Sequence, residues 1–365
     1  MKVRKVLLID IGTSFGGVEV YLRDITELLE GHAEFRVFCV LSELRDALVS
    51  RVPGVICARR LSKWGKPVQL FAAAVTLVWL RALRKIDTVW INGYSEMALL
   101  PLARALGCAA IATRHLTFDI EPGPWHRNWR RYVARYVYRK LAFSADKVIC
   151  VSHTVAESMR SALPRQTAIS VIPNWVQNIP EVHRRQLCNS RLNLVFVGRL
   201  EKHKGASLLL EAMHRLKSDS PSTRVSLTVV GAGSEESSLR AMVRDLDVRF
   251  AGYQRNTSLF FREADVFVNP SLGPEGLPLV TLEAMSHGLP CILSDLPVHR
   301  EITEDGWAAE LFASGDSSDL AGKLREILND HALLEKFGKR SQEAIEKRHT
   351  RSKAMQSYLA ALESL

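Results

Sequence analysis

Apolar residues along this chain fall into short β-branched runs separated by longer stretches of helical period. The runs VRKVLLID, EFRVFCVL, GVICA, DTVWIN, AAIATR, KVICVS and AISVIP occupy the first half; LNLVFVG, VSLTVVG, VRFAG, ADVFVNP, PCILSD and AAELF occupy the second. Apolar runs of this length alternating with helices predict an α/β fold of parallel sheets built from βαβ units, because strands covered by helices on both faces keep no polar side. The pattern restarts after an aperiodic polar stretch, QNIPEVHRRQLCNS, which marks a linker. Two Rossmann-like domains are expected, 1–180 and 190–349, facing each other across a cleft at the carboxyl ends of their strands, where ligands bind in such folds. A last helix at about 350–365 is free to pack back on the first domain.

Composition agrees with this reading and narrows it. A chain of 365 residues is too long for one ordinary core, and 47% hydrophobic with 24% charged residues is the mixture of a globular protein. The six cysteines, Cys39, Cys57, Cys108, Cys150, Cys188 and Cys291, form no CxxC pair and several sit in strand-like runs. Buried, reduced thiols in a cytoplasmic protein are the simplest account. The apolar part of MKVRKVLLIDIG is too short for a signal peptide, and the weakly polar stretch Pro67–Leu80 falls short of the ~20 residues that span a bilayer. No membrane-spanning helix is expected.

Charge is uneven. Residues 1–186 carry 27 Lys and Arg against 15 Asp and Glu, whereas the remainder carries 22 against 24. The first half therefore suits an anionic partner: nucleic acid, a membrane surface or a phosphorylated substrate.

Candidate chemistry lies where strands end. Gly16 and Gly17 follow the first strand and open a helix, where a backbone without side chains can approach an anion; a tight turn explains them equally well. In FVGRLEKHKGASLLLEAM, Arg199 and Lys204 flank a loop before a helix near Ala206. A guanidinium fork and an ammonium point charge suit a diphosphate, although a solvated basic loop accounts for them taken alone. In ADVFVNPSLGPEGLPLVTLEAMSHG, Glu275 falls on a loop and Glu283 inside a helix closed by Gly288. Their spacing suits neither a metal nor one helical face. Glu283 can accept from a ribose diol and Glu275 can hold sugar hydroxyls or face positive charge at an anomeric carbon, with the amides of Gly276 and Leu277 toward phosphate. The bland reading of Glu283 is that it complements a helix dipole.

Together these pieces closely resemble the donor-binding signature of family 4 glycosyltransferases, retaining enzymes of the GT-B fold, with their E-x7-E motif at Glu275 and Glu283. The FGG loop, ATRH ending at His115, VSHTVAESM and VIPNWV with Asn174 fall in the family's order. The resemblance spans nearly the whole chain and is more specific in the second half. It implies Arg199 and Lys204 on the donor diphosphate, Glu283 on the ribose, Glu275 and His115 near the donor sugar, and Gly16 and Gly17 beside phosphate and acceptor. It also implies transfer from a nucleotide sugar to a glycan or polyprenyl-linked acceptor, with no cofactor and no metal; no Asp-x-Asp pair follows a strand. Two positions depart from the family pattern. Pro278 stands where many relatives have glycine, and Leu116 follows His115 where an acidic residue is common, Asp119 being the nearest carboxylate. A catalytically silent nucleotide-sugar or glycan-binding protein and a nonhydrolytic nucleotide-sugar epimerase are the alternatives.

GPWHRNWRRYVARYVYRKLAFSA holds six Lys and Arg, among them Arg127, Arg130, Arg131 and Arg135, and no acidic residue. Its aromatic and aliphatic residues recur at steps of three and four, so a helix with one apolar face and exposed arginines is expected. Such helices lie at anionic membrane surfaces, here the inner face of the cell membrane, or pack their stripe on their own sheet. A second segment, Lys63 to Lys85, has basic ends around an apolar middle. Nucleic acid is not expected, since no recognised binding module accompanies the charge.

Overall fold

The computed structural model describes residues 3–12, 16–93, 95–117, 141, 144–163, 167–181, 191–219 and 224–365. The chain forms two compact units, Met1–Asn174 with Ser352–Leu365, and Trp175–Arg351. Each is a parallel α/β sandwich, and all thirteen apolar runs are strands.

In the first unit β1 (Arg4–Asp10), β2 (Ala33–Cys39), β3 (Gly54–Cys57), β4 (Thr88–Ile91), β5 (Ala109–Arg114), β6 (Lys147–Cys150) and β7 (Ile169–Val171) form one sheet in the order β3-β2-β1-β4-β5-β6-β7. The central strands are buried along most of their length, as strands covered on both faces must be. In the second unit β8 (Arg191–Val197), β9 (Arg224–Val230), β10 (Asp247–Gly252), β11 (Val266–Asn269), β12 (Cys291–Ser294) and β13 (Glu310–Phe312) are ordered β10-β9-β8-β11-β12-β13. Leu194, Phe196, Val266 and Val268 from this sheet pack with Leu209, Met213 and Leu216 of the helix Ala206–Asp219.

Both sheets reverse winding direction once, between β1 and β4 and between β8 and β11. At such a switch point successive connections leave to opposite sides, opening a crevice at the strands' carboxyl ends. The loops after these four strands hold most of the residues singled out from the sequence.

The helix Arg351–Glu363 packs on the first unit although the second precedes it. Tyr358 is fully buried; its hydroxyl lies 2.8 Å from the Tyr21 hydroxyl and its ring 5.9 Å from that of Trp90. Arg4 Nε donates to the Leu362 carbonyl at 3.0 Å, and Lys147 Nζ to that of Ala361 at 2.9 Å. The second unit starts at Trp175 instead of 190 because Val176 bridges to Thr350 and donates from its N–H to the His349 carbonyl at 2.9 Å.

Candidate functional site

In the second unit the loops after β8 and β11 are locked together at the switch point. Gly205 has φ +69°, and a Cβ there would lie 1.9 Å from the Pro270 carbonyl oxygen, so only glycine admits this approach. The Leu272 N–H donates to the His203 carbonyl at 2.7 Å. Lys204 Nζ thereby reaches Glu275 Oε1 at 2.6 Å, and Ser271 Oγ donates to the same oxygen at 2.7 Å. Glu275 is 7% exposed, while Lys204 keeps a half-buried side chain open to the loop surface. Arg199, on the first of these loops, is exposed and has no ion-pair partner among the described residues.

Buried polar residues buttress this arrangement from behind. Ser294 Oγ donates to the Ser271 carbonyl at 2.7 Å. His299, fully buried, donates from Nδ1 to the Ser294 carbonyl at 2.7 Å, and Asn269 Nδ2 faces its Nε2 at 3.4 Å and donates to Thr281 Oγ1 at 3.1 Å. Burial lowers the pKa of His299, which favours the neutral ring, and the Ser294 carbonyl, able only to accept, sets its proton on Nδ1.

Pro278 is the N-cap of the helix Leu279–Ser286, and it has no side-chain capping bond. Gly276 and Leu277, just before it, are buried. Glu283 sits on that helix, half-buried, where its carboxylate accepts from Thr257 Oγ1 at 3.0 Å. The loop thus brings Lys204 and Glu275 together, while Glu283 meets Thr257 through its carboxylate and His287, whose Nδ1 lies 2.8 Å from the Glu283 carbonyl oxygen. A fixed carboxylate beside an ammonium, with an exposed guanidinium on the same loop, can receive a doubly anionic group while holding neighbouring hydroxyls.

The first unit's switch point carries a second polar cluster. Gly16 is the N-cap of the helix Gly17–Leu28, and Glu19 accepts its N–H at 2.8 Å. Glu19 and Asp10 both close on Gly12, where a Cβ would lie 2.5 Å from Glu19 Oε1 and 3.3 Å from Asp10 Oδ1. Glu96 accepts the Ile11 N–H at 2.8 Å, and Lys66 donates to the Ile11 carbonyl. Burial, then the charges of Glu19 and Glu96, push the Asp10 carboxyl up to about 7. At the ends of β4 and β5, His115 Nε2 meets Asn92 Oδ1 at 2.8 Å, and its ring stands edge-on to Tyr21 at 4.6 Å. Burial and Arg114 lower His115 to about 3, so the imidazole is neutral and its Nε2–H donates to Asn92. Asn174 is buried at the end of this unit.

Asp10, Asn92, Ser271 and Thr257 were not singled out from the sequence. Asp10, Asn92 and Ser271 each close an apolar run or open the next loop, a signal that would have marked them, whereas Thr257 is the N-cap of the helix Ser258–Glu263. Arg127, Arg130, Arg131 and Arg135 lie outside the described residues, as do Asp119 and Cys188. The five described cysteines are unbridged.

Known proteins share both halves. Residues 15–177 match the model of Glycosyltransferase Family 4, and residues 191–330 that of Glycosyl transferases group 1. A phosphatidyl-myo-inositol mannosyltransferase of Mycobacterium leprae is 34% identical over 157 residues, 42% of this chain and 41% of that protein. The lipopolysaccharide core biosynthesis glycosyltransferase LpsE of Rhizobium meliloti is 28% identical over 229 residues, 60% of this chain and 65% of its own. The matched segments thus span less than two thirds of these relatives. Among solved structures, Anabaena Alr3699/HepE in complex with UDP superposes with TM-score 0.81 at 19% identity, covering 99% of this chain and all of the other, which establishes the shared fold. The chain therefore carries a Glycosyltransferase Family 4 domain over residues 15–177 and a Glycosyl transferases group 1 domain over residues 191–330, on the two-sheet GT-B architecture.

Proposed function

We propose that this protein transfers a sugar from a nucleotide-sugar donor, held by the second unit, to a glycan or polyprenyl-linked acceptor met by the first, retaining the anomeric configuration. The observation that carries this reading is the pairing of Lys204 with Glu275 where β8 and β11 end, with Arg199 exposed on the Lys204 loop. A donor diphosphate would draw Lys204 Nζ from Glu275 and take the guanidinium of Arg199, leaving Glu275, still bonded to Ser271, for sugar hydroxyls and for positive charge at the anomeric carbon. Glu283 would accept from the ribose. The bond from anomeric carbon to phosphate oxygen breaks as the acceptor oxygen attacks from the same face, and the departing phosphate oxygen takes the acceptor proton. In the first unit, neutral His115, Gly16 and Gly17 are the residues proposed to take part.

The relatives' names, a phosphatidyl-myo-inositol mannosyltransferase and a lipopolysaccharide core enzyme, support a lipid-bearing acceptor in cell-surface glycolipid or polysaccharide synthesis. A peripheral position on the cytoplasmic face of the membrane follows from that acceptor; among the described residues no helix is long and apolar enough to cross one. No metal is assigned a role, and transfer should persist in excess EDTA.

A thermal-shift panel of nucleotide sugars identifies the donor, since a ligand of the native state raises apparent stability. Glu283→Ala should weaken that donor at least tenfold. Unchanged donor affinity in this variant would remove Glu283 from the nucleoside site.

A further inference from the structure

The helix Lys66–Ala82 turns the wrong face outward for a soluble surface. Gln69, Ala73, Leu77 and Leu80 are buried against the first unit. On the opposite side Val68, Phe71, Val75 and Trp79 follow one another at steps of three and four up to Leu83 at the cap, with Phe71 71% and Trp79 54% exposed, and Trp64, 62% exposed, stands just before the helix. Of the fourteen exposed large hydrophobic side chains among the described residues, half fall between 64 and 83. Single exposed apolar side chains are ordinary, but a continuous stripe of them marks an interaction surface.

Charge identifies what the stripe meets. Arg59, Arg60 and Lys63 are exposed at its start, Arg84 and Lys85 at its end, and no Asp or Glu occurs from Arg59 to Ile86. Lys85 Nζ lies 5.8 Å above the Trp79 ring, which places a cation beside the apolar edge. A second copy of the chain is disfavoured, because both ends of the stripe are positive. Parallel or antiparallel pairing sets cation against cation.

We propose that this face docks on an anionic lipid surface, the helix lying in the plane of the headgroups with its outward stripe among the upper acyl chains. Seventeen helical residues give a contact about 25 Å long. The buried side of the helix is committed to the protein, so it lies on the bilayer and does not cross it. Tryptophans near both ends sit at headgroup depth, where their rings are stable, and the flanking basic residues meet lipid phosphate. The inference deepens the peripheral position given above and is separable from the transfer chemistry: vesicle binding can hold while donor binding fails, and the reverse.

The test is co-sedimentation of the full chain with phosphatidylcholine vesicles with and without about 30% phosphatidylglycerol, at low and high salt. Binding should require the anionic lipid and weaken with salt. Phe71→Glu/Trp79→Glu, at exposed positions, should lose at least tenfold in vesicle affinity at an unchanged melting temperature. Arg84→Glu/Lys85→Glu, which leaves the stripe intact, should lose binding to anionic vesicles, so the inference stays testable if the first variant misfolds. Equal vesicle binding by wild type and both variants, no binding by wild type at low salt, or a stripe-dependent dimer with unaltered vesicle binding would each overturn it.

Discussion

Replacing Gly205 by alanine adds one methyl group at the most crowded backbone contact of the candidate donor site. The Cβ would stand 1.9 Å from the Pro270 carbonyl oxygen, whereas carbon and oxygen rest at about 3.3 Å, so the loops must separate by more than 1 Å. The left-handed conformation at φ +69° costs alanine a further ~1–2 kcal/mol, and forced repacking adds ~1–3 kcal/mol. Reduced freedom of the unfolded chain returns ~0.4–1 kcal/mol. The net loss is about 1–5 kcal/mol, or a fall of about 2–20 °C in the melting temperature of a domain this size. The displaced loop would also part Leu272 N–H from the His203 carbonyl and Lys204 from Glu275, so donor affinity should fall with stability. Scanning calorimetry resolves the unit's transition, and titration calorimetry with the donor found by the panel reads the second effect. Gly322→Ala is the control: it lies in the helix Ser317–Asn329, its Cβ would meet nothing within 4 Å, and it should stabilise by about 0.5–1 kcal/mol. If Gly205→Ala melted with wild type and bound donor equally well, the loop-locking argument would be refuted.

Lys204→Met leaves the buried Glu275 carboxylate without its cation and should destabilise the second unit by ~2–4 kcal/mol, whereas Lys204→Met/Glu275→Gln recovers more than 1 kcal/mol of that; additive urea midpoints would deny the coupling. Two titrations in the first unit oppose each other. Asp10, raised from 3.8 to about 7, holds a proton in the fold, so its contribution is full below about pH 4 and is lost as pH rises through 7. His115, lowered from 6.5 to about 3, contributes above pH 6.5 and loses that as pH falls through 3. Asp10→Asn should therefore unmask the histidine, its stability rising from pH 4 to 6.5 more steeply than wild type's by up to about 1.4 kcal/mol per unit; parallel slopes in urea titrations at pH 4, 5 and 6 would contradict this. Tyr358→Phe removes the 2.8 Å bond to Tyr21 and should cost about 1–2 kcal/mol in the first unit's calorimetric transition.

The strands were legible because each is a compact apolar run, and even the three residues of β7 fall inside AISVIP. Their order in the sheets was not. Nothing local in VRKVLLID says that its neighbours are β2 and β4, since parallel pairing is settled by crossover helices packing on the sheet. The E-x7-E residues and the basic loop could be named from sequence, but not the 2.6 Å contact between Lys204 and Glu275, which are 71 positions apart and joined through the close approach of Gly205 to Pro270. Asp10 read as the polar end of a strand; only Glu19 and Glu96, folded against it, make its ionisation unusual. The segment from Lys63 to Lys85 showed basic ends around an apolar middle, yet which side faces outward depends on Ala73, Leu77 and Leu80 being claimed by the core.

The placement of the helix Arg351–Glu363 sets a timetable for biosynthesis. The first unit's strands leave the ribosome early, yet Tyr358, Ala361 and Leu362, which complete its core, are translated only after the whole of the second unit. The second unit is contiguous and can close as soon as Arg351 has emerged. The domain encoded first is therefore the one finished last, and until then the apolar ground under Tyr21 and Trp90 is open to chaperones.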